Sequence, residues 1–231
     1  MRAAFALALL ATLTACAGGP VTRDDVYDRV LKGRADPSAV VATELAFARA
    51  AQERGQWTAF AEYATDDAMM FVPEPVNAKG WLKGRANPSQ AIQWQPHQVW
   101  SSCDGSLAVT KGAWQRPDGS TGYFTTVWQR QGDGTYRWVL DQADQLAQPL
   151  AAPDFIGTQV ADCRKPGSAP APVAIADYPE GTREAGGTAT DGSLRWHWVV
   201  MADGRRAFDT AMFVDGEWRQ VVKSEVEPQA R

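Results

Sequence analysis

Six Asp-Gly pairs punctuate the chain, at 104-105, 118-119 and 133-134 and again at 191-192, 203-204 and 215-216. Asp-Gly favours tight hairpins, because both central residues of a type I′ turn need positive φ, which Gly adopts freely and Asp tolerates. The segments between the pairs are short and rich in β-branched and aromatic residues. The spacing therefore predicts a four-stranded antiparallel meander over residues 95–142 and a three-stranded β-meander over 191–226. Asp191-Gly192-Ser193-Leu194 echoes Asp104-Gly105-Ser106-Leu107. Helical patterns precede the first meander. Asp36-Pro37 caps and opens a helix with Val40, Glu44, Phe47 and Ala51 beside Val41, Leu45 and Ala48, ending at Gly55. A second helix is expected over 57–63, a strand over 68–73, and one more helical turn from Asn87-Pro88. Helices followed by meanders make an α+β protein.

Composition narrows the chemistry. The 231 residues carry a formal charge of −4 with no basic run, so nucleic acid, which needs clustered cations, is excluded as a partner. Ten Trp stand against two His and three Cys. His97 and His197 have no Cys or carboxylate at ligand spacing, so no metal site is expected; no nucleophile elbow, P-loop or dinucleotide fingerprint occurs, and no cofactor is expected. Residues 1–15 place Arg2 before an apolar run from Ala3 to Leu13, too short to span a hydrocarbon core of roughly 30 Å. That is the layout of a secretory signal peptide. Leu13-Thr14-Ala15-Cys16 resembles the bacterial lipobox, which implies cleavage before Cys16, lipidation of its thiol and a lipid-anchored lipoprotein. Ala17 supplies no acidic retention signal, so the expected place is the outer membrane of the cell envelope, facing the periplasm. Residues 16–36 are then an anchored segment with a short helix at 22–32. In an oxidising envelope Cys103 and Cys163 can form a disulfide; two buried free thiols are the alternative. Residues 148–190, rich in Ala, Pro and Gly, read as a linker.

Residues 37–147 resemble the nuclear transport factor 2-like superfamily in its SnoaL-like branch. The features that carry the likeness are Glu44-Leu45-Ala46-Phe47, Gly55-Gln56-Trp57 leading to Phe60 and Tyr63, and the run from Asp66-Asp67 through Met69-Met70-Phe71 to Pro73. In the meander they are Gly105-Ser106-Leu107 and Val127-Trp128-Gln129-Arg130 through Asp133-Gly134 to Trp138-Val139-Leu140-Asp141. The resemblance implies a cone, with N-terminal helices on a curved antiparallel sheet around a pocket. Some members use that pocket as an active site and others only for binding. It also implies a homodimer through the outer sheet face.

Taking each Asp-Gly as a two-residue loop fixes register. Lys111 then falls opposite Thr126, and Thr126 opposite Asp141, in a row beside Val109, Phe124, Trp128 and Val139 as pocket lining. A carboxylate and an ammonium flanking a hydroxyl among apolar side chains can make a general base; the same row is also an ordinary cross-strand ion pair. In the second meander this register puts Leu194, Trp196, Trp198, Val200, Ala211, Phe213, Trp218 and Val222 on one face with Asp209, and Arg206 and Thr210 on the other. Such an aromatic face must be covered by the main body, a partner or a ligand. Two functions stay open. One is binding of a small apolar ligand or a protein partner without catalysis; the other is a pocket enzyme using Asp141, aided by Lys111 and Thr126, for proton transfer or hydrolysis.

Overall fold

Five of the six Asp-Gly pairs fold in one way, and it sets the register of both sheets. The carboxylates of Asp104, Asp118, Asp133, Asp191 and Asp203 each accept the N–H two residues on, and the following Gly takes positive φ. This Asx-type bond closes loops of three or four residues. Asp215-Gly216 alone is a two-residue turn with both φ positive, at 55° and 81°.

The computed structural model describes residues 34–163 and 180–228. The signal segment, Cys16, the helix expected at 22–32 and most of the Pro-rich run lie outside the described residues. Helix α1 (Pro37–Arg54) is capped by Asp36, whose carboxylate accepts the Ala39 N–H, and α2 (Gln56–Tyr63) follows directly. The chain continues through β1 (Ala64–Phe71), β2 (Pro75–Asn77), the short α3 (Ala78–Leu82) and the strands β3 (Gln93–Ser101), β4 (Leu107–Gln115), β5 (Thr121–Arg130) and β6 (Tyr136–Leu146). After them come β7 (Gly157–Val160), β8 (Arg183–Thr188), β9 (Leu194–Val200), β10 (Arg206–Val214) and β11 (Glu217–Val226). The first sheet has the order β2-β1-β6-β5-β4-β3-β7, with β1 parallel to β6 and β7 parallel to β3. The second is antiparallel, in the order β11-β10-β9-β8.

Several expectations are corrected. The stretch 148–190 contributes β7 and β8, so the second sheet has four strands instead of three and the first is not purely antiparallel. No helical turn starts at Asn87-Pro88. Asn87 instead caps α2 from outside, its Oδ1 accepting the N–H groups of Trp57 and Thr58. Gly55 makes this possible: at φ 102° it takes a conformation L side chains avoid, and a Cβ there would lie 2.3 Å from the Asn87 carboxamide.

Helices α1 and α2 lie on one face of the first sheet around Phe47, Ala108, Trp128 and Trp138. The opposite face is covered by the second sheet: Leu107, Val109, Val127 and Leu140 pack with Leu194, Trp198, Phe208, Met212 and Val222. Burial of each such side chain contributes about 2 kcal/mol, so the sheets form one core. The covered face of the second sheet differs from expectation, because β9 and β10 join through a three-residue loop. Arg206 and Thr210 turn inward with Phe208 and Met212, while Asp209, Ala211, Phe213 and Trp218 turn outward. Arg206 is accommodated by stacking on Phe71 and donating to the Ala143 carbonyl. The outer face that the resemblance implies for a homodimer is thus already occupied within the chain.

The two echoing loops clasp each other. Cys103 N–H donates to Ser193 Oγ at 3.0 Å and Thr190 N–H to Ser106 Oγ at 2.9 Å, while Asp104 and Asp191 exchange N–H-to-carboxylate bonds of 2.9 and 3.1 Å. A Cys103–Cys163 disulfide, spanning 60 residues, fastens the segment after β7 beside this clasp. The adjoining Asp162 bonds the second sheet at Phe213 and Gly216. Replacing both cysteines by serine lowers stability by about 3 kcal/mol, read from urea unfolding at pH 7, because the unfolded chain regains the freedom of a long loop. An unchanged midpoint would mean that the disulfide adds nothing to what the clasp and the shared core already hold.

Candidate functional site

Helix α1 is apolar along its inner side except at Glu44, which is fully buried. Its carboxylate takes three donors: the Trp94 indole N–H at 2.8 Å, the Thr110 hydroxyl at 2.6 Å and the Trp128 indole N–H at 2.9 Å. Burial pushes the Glu44 carboxyl above its usual range, and the three donors oppose that rise. Across the sheet the pairing runs Thr110 to Thr126 to Asp141. Thr126 Oγ1 donates to Asp141 Oδ2 at 2.8 Å. Asp141 lies on the wall of a pocket of about 80 Å³ lined by Phe47, Phe60, Trp94, Trp114 and Phe124, with Gln56, Ile92 and Arg116 around it. Desolvation there pushes the Asp141 carboxyl up to about 7; the Thr126 bond opposes the rise and the Glu44 charge adds to it. A carboxyl poised near neutral pH can both take and give a proton.

The predicted row survives in part. Thr126 and Asp141 are brought together, but Lys111 points to the opposite face, its Nζ 4.9 Å from the Tyr123 ring centroid, where burial lowers its pKa. Thr110 stands where Lys111 was expected, because the loop after β4 holds Pro117, Asp118 and Gly119, with Arg116 and Ser120 bonded across it. Of the expected lining residues, Phe124 lines the pocket and Trp128 supports it through Glu44. Val109 and Val139 belong instead to the core between the sheets. Val139 is the extra residue of a bulge in β6, which turns its side chain away from the pocket.

Sequence reasoning passed over Glu44 and Gln56 as site residues. Glu44 carried a signal, a carboxylate within an otherwise apolar helical stripe. Gln56 carried none: its Oε1 accepts the Ile92 N–H at 3.0 Å, which leaves the amide NH₂ as the donor it can offer a ligand. Among the described residues no group of three His, Cys, Asp or Glu side chains could hold a metal ion, and no helix is long and apolar enough to cross a membrane.

Helices seated on one face of the seven-stranded sheet around a pocket, with the four-stranded sheet on its other face, make the α+β cone that the sequence resemblance implies. Solved structures similar to the chain include a nuclear transport factor 2-like protein with a cystatin-like fold from Novosphingobium aromaticivorans (13% identity, 56% of this chain and 93% of that one, TM-score 0.39). Two others are nuclear transport factor 2 from Cryptosporidium parvum (12%, 49% and 98%, 0.36) and ActVI-ORFA from Streptomyces coelicolor (14%, 47% and 96%, 0.33). No protein-family model and no curated protein matches the chain.

Proposed function

We propose that the concave pocket binds a small apolar molecule and performs general acid-base chemistry on it, with Asp141 carrying the proton. The observation that supports this reading is a carboxyl bonded to Thr126 on an aromatic wall, where desolvation pushes it up to about 7; an ordinary surface Asp would be ionised and too weak a base. Thr126 orients that carboxyl, and the Gln56 amide is the donor for an oxygen that gains charge as the proton leaves. Proton abstraction beside a carbonyl is the reaction class these groups fit. Binding without turnover is the second reading. It is favoured by Glu44, whose three donors keep it behind the wall, so that Asp141 works without a second acid. The signal segment and Cys16 support attachment of this domain to the bacterial envelope through lipid, and a disulfide suits that oxidising setting.

Hydrogen–deuterium exchange at the α-carbon of cyclopentanone and cyclohexanone, followed by NMR in D₂O, tests the catalytic reading. We expect exchange above the buffer rate, rising with a midpoint near pH 7 and falling about a hundredfold in Asp141→Asn. Ketones that shift the Trp94 and Trp114 indole resonances yet exchange at the buffer rate would overturn catalysis and support binding alone.

A further inference from the structure

Beside the aromatic pocket lies a groove of about 470 Å³, running past Gln52 and Gly55 at the junction of α1 and α2 and past Pro88, Gln93 and Gln115. Arg116 lines both spaces. Its guanidinium lies 4.5 Å from the ring centroid of Trp114, and that ring is fixed in turn. The Trp114 indole N–H donates to the Tyr123 carbonyl at 2.9 Å. The ring also crosses Gly122 so closely that a Cβ there would come within 2.4 Å of it. The cation is therefore positioned by stacking at the point where pocket and groove meet.

Charge in the two spaces is simple. Arg116 is the one cation and Asp141 the one carboxylate among the residues lining them. Asp118, two residues beyond Arg116, directs its Oδ1 to the Ser120 N–H and hydroxyl, and its charge also interacts with the guanidinium. The Trp57 and Thr58 N–H groups at the start of α2 are committed to Asn87, which leaves the guanidinium as the charged group to hold an anion here. The pocket, at about 80 Å³, is smaller than the roughly 150 Å³ cavity that encloses benzene, and it shares Arg116 with the groove. A single ring therefore enters it only in part, with the ring's substituent left at the mouth.

We infer that the site is built for a small monocyclic acid, its ring against Phe47, Phe60 and Trp94, its anionic group on Arg116 at the mouth, and its far edge toward Asp141. This rests on the pocket reading of the preceding subsection and adds the ligand's charge and polarity. A planar carboxylate matches the paired N–H groups of a guanidinium, whereas a lysine at this position would act only as a point charge.

Phenylacetate and phenylacetamide have nearly the same shape and differ in charge. Titrating each at pH 6, where Asp141 is mostly protonated and does not repel an anion, into ¹⁵N-labelled protein reports binding through the Trp94 and Trp114 indole signals. The acid is expected to bind at least tenfold more tightly than the amide. Arg116→Gln should weaken the acid at least fivefold more than it weakens the amide, bringing the two to within twofold of each other. Equal binding of acid and amide by the natural protein, or a preference that survives Arg116→Gln, would overturn the assignment of the anion while leaving the pocket reading in place. If neither probe moves the indole signals, the pocket reading itself falls.

Discussion

Glu44→Ala lowers stability by about 3 kcal/mol at pH 7, read from urea unfolding, although the residue removed is an acid in the middle of a core. Two effects oppose each other. Removing a carboxylate that is costly to bury is favourable in itself. Against it, the Trp94 indole N–H and the Thr110 hydroxyl lose their acceptor, and a side-chain-sized hole opens beneath α1. Trp128 loses less, because its indole N–H also reaches the Thr110 oxygen at 3.1 Å. Unmade buried hydrogen bonds and the cavity together outweigh the relief of desolvation. Glu44→Gln keeps the volume and costs less, about 1–2 kcal/mol, since one end of the amide must present N–H to another N–H. A Glu44→Ala variant as stable as the natural protein would mean that the three donors find water instead.

Asp141→Asn has the opposite sign on stability and the larger effect on chemistry. The folded-state pKa of Asp141, about 7, lies above the usual carboxyl value of 3.8. The native state therefore holds a proton that the unfolded chain releases. Its contribution is fully present below pH 3.8 and is lost as pH rises toward 7. Asparagine still accepts from Thr126 and carries no charge to desolvate. The variant should nearly match the natural protein at pH 4 and exceed its stability by on the order of 4 kcal/mol at pH 8. The same substitution removes the one carboxyl among the described residues lining the pocket, so exchange chemistry should fall while binding of an uncharged ring persists. A stability difference that does not change between pH 4 and pH 8 would show that Asp141 titrates alike in the folded and unfolded chain, as a surface carboxylate does.

Element types and order were legible because the helices carry apolar stripes and caps, and the strands are bounded by Asp-Gly. Register was less legible. The pairing of Thr126 with Asp141 is as expected because two departures cancel: the loop at 132–134 has one residue more than a type I′ turn, and the Val139 bulge restores the count. No bulge compensates the loop at 117–119, so Lys111 is turned off the site and Thr110 takes its place. The loop length comes from the Asp carboxylate bonding the N–H two residues on, an interaction that the Asp-Gly dipeptide permits but does not announce. Gln56 and Arg116 come from distant parts of the chain, and only the tertiary packing brings them to one pocket, with Glu44 behind its wall. The second sheet's cover over the outer face was partly legible in its aromatic strands, but β8 was hidden in a stretch whose composition resembles a linker.

The account depends on where Asp141 releases its proton. A ¹³C NMR titration of carboxyl-labelled aspartate, with the Asp141 signal assigned by its loss in Asp141→Asn, measures this directly. The structure predicts a midpoint close to 7, moving down when Glu44→Gln removes the neighbouring charge. A midpoint near 4, the ordinary value for aspartate, would contradict the desolvated carboxyl on which the proposed chemistry rests.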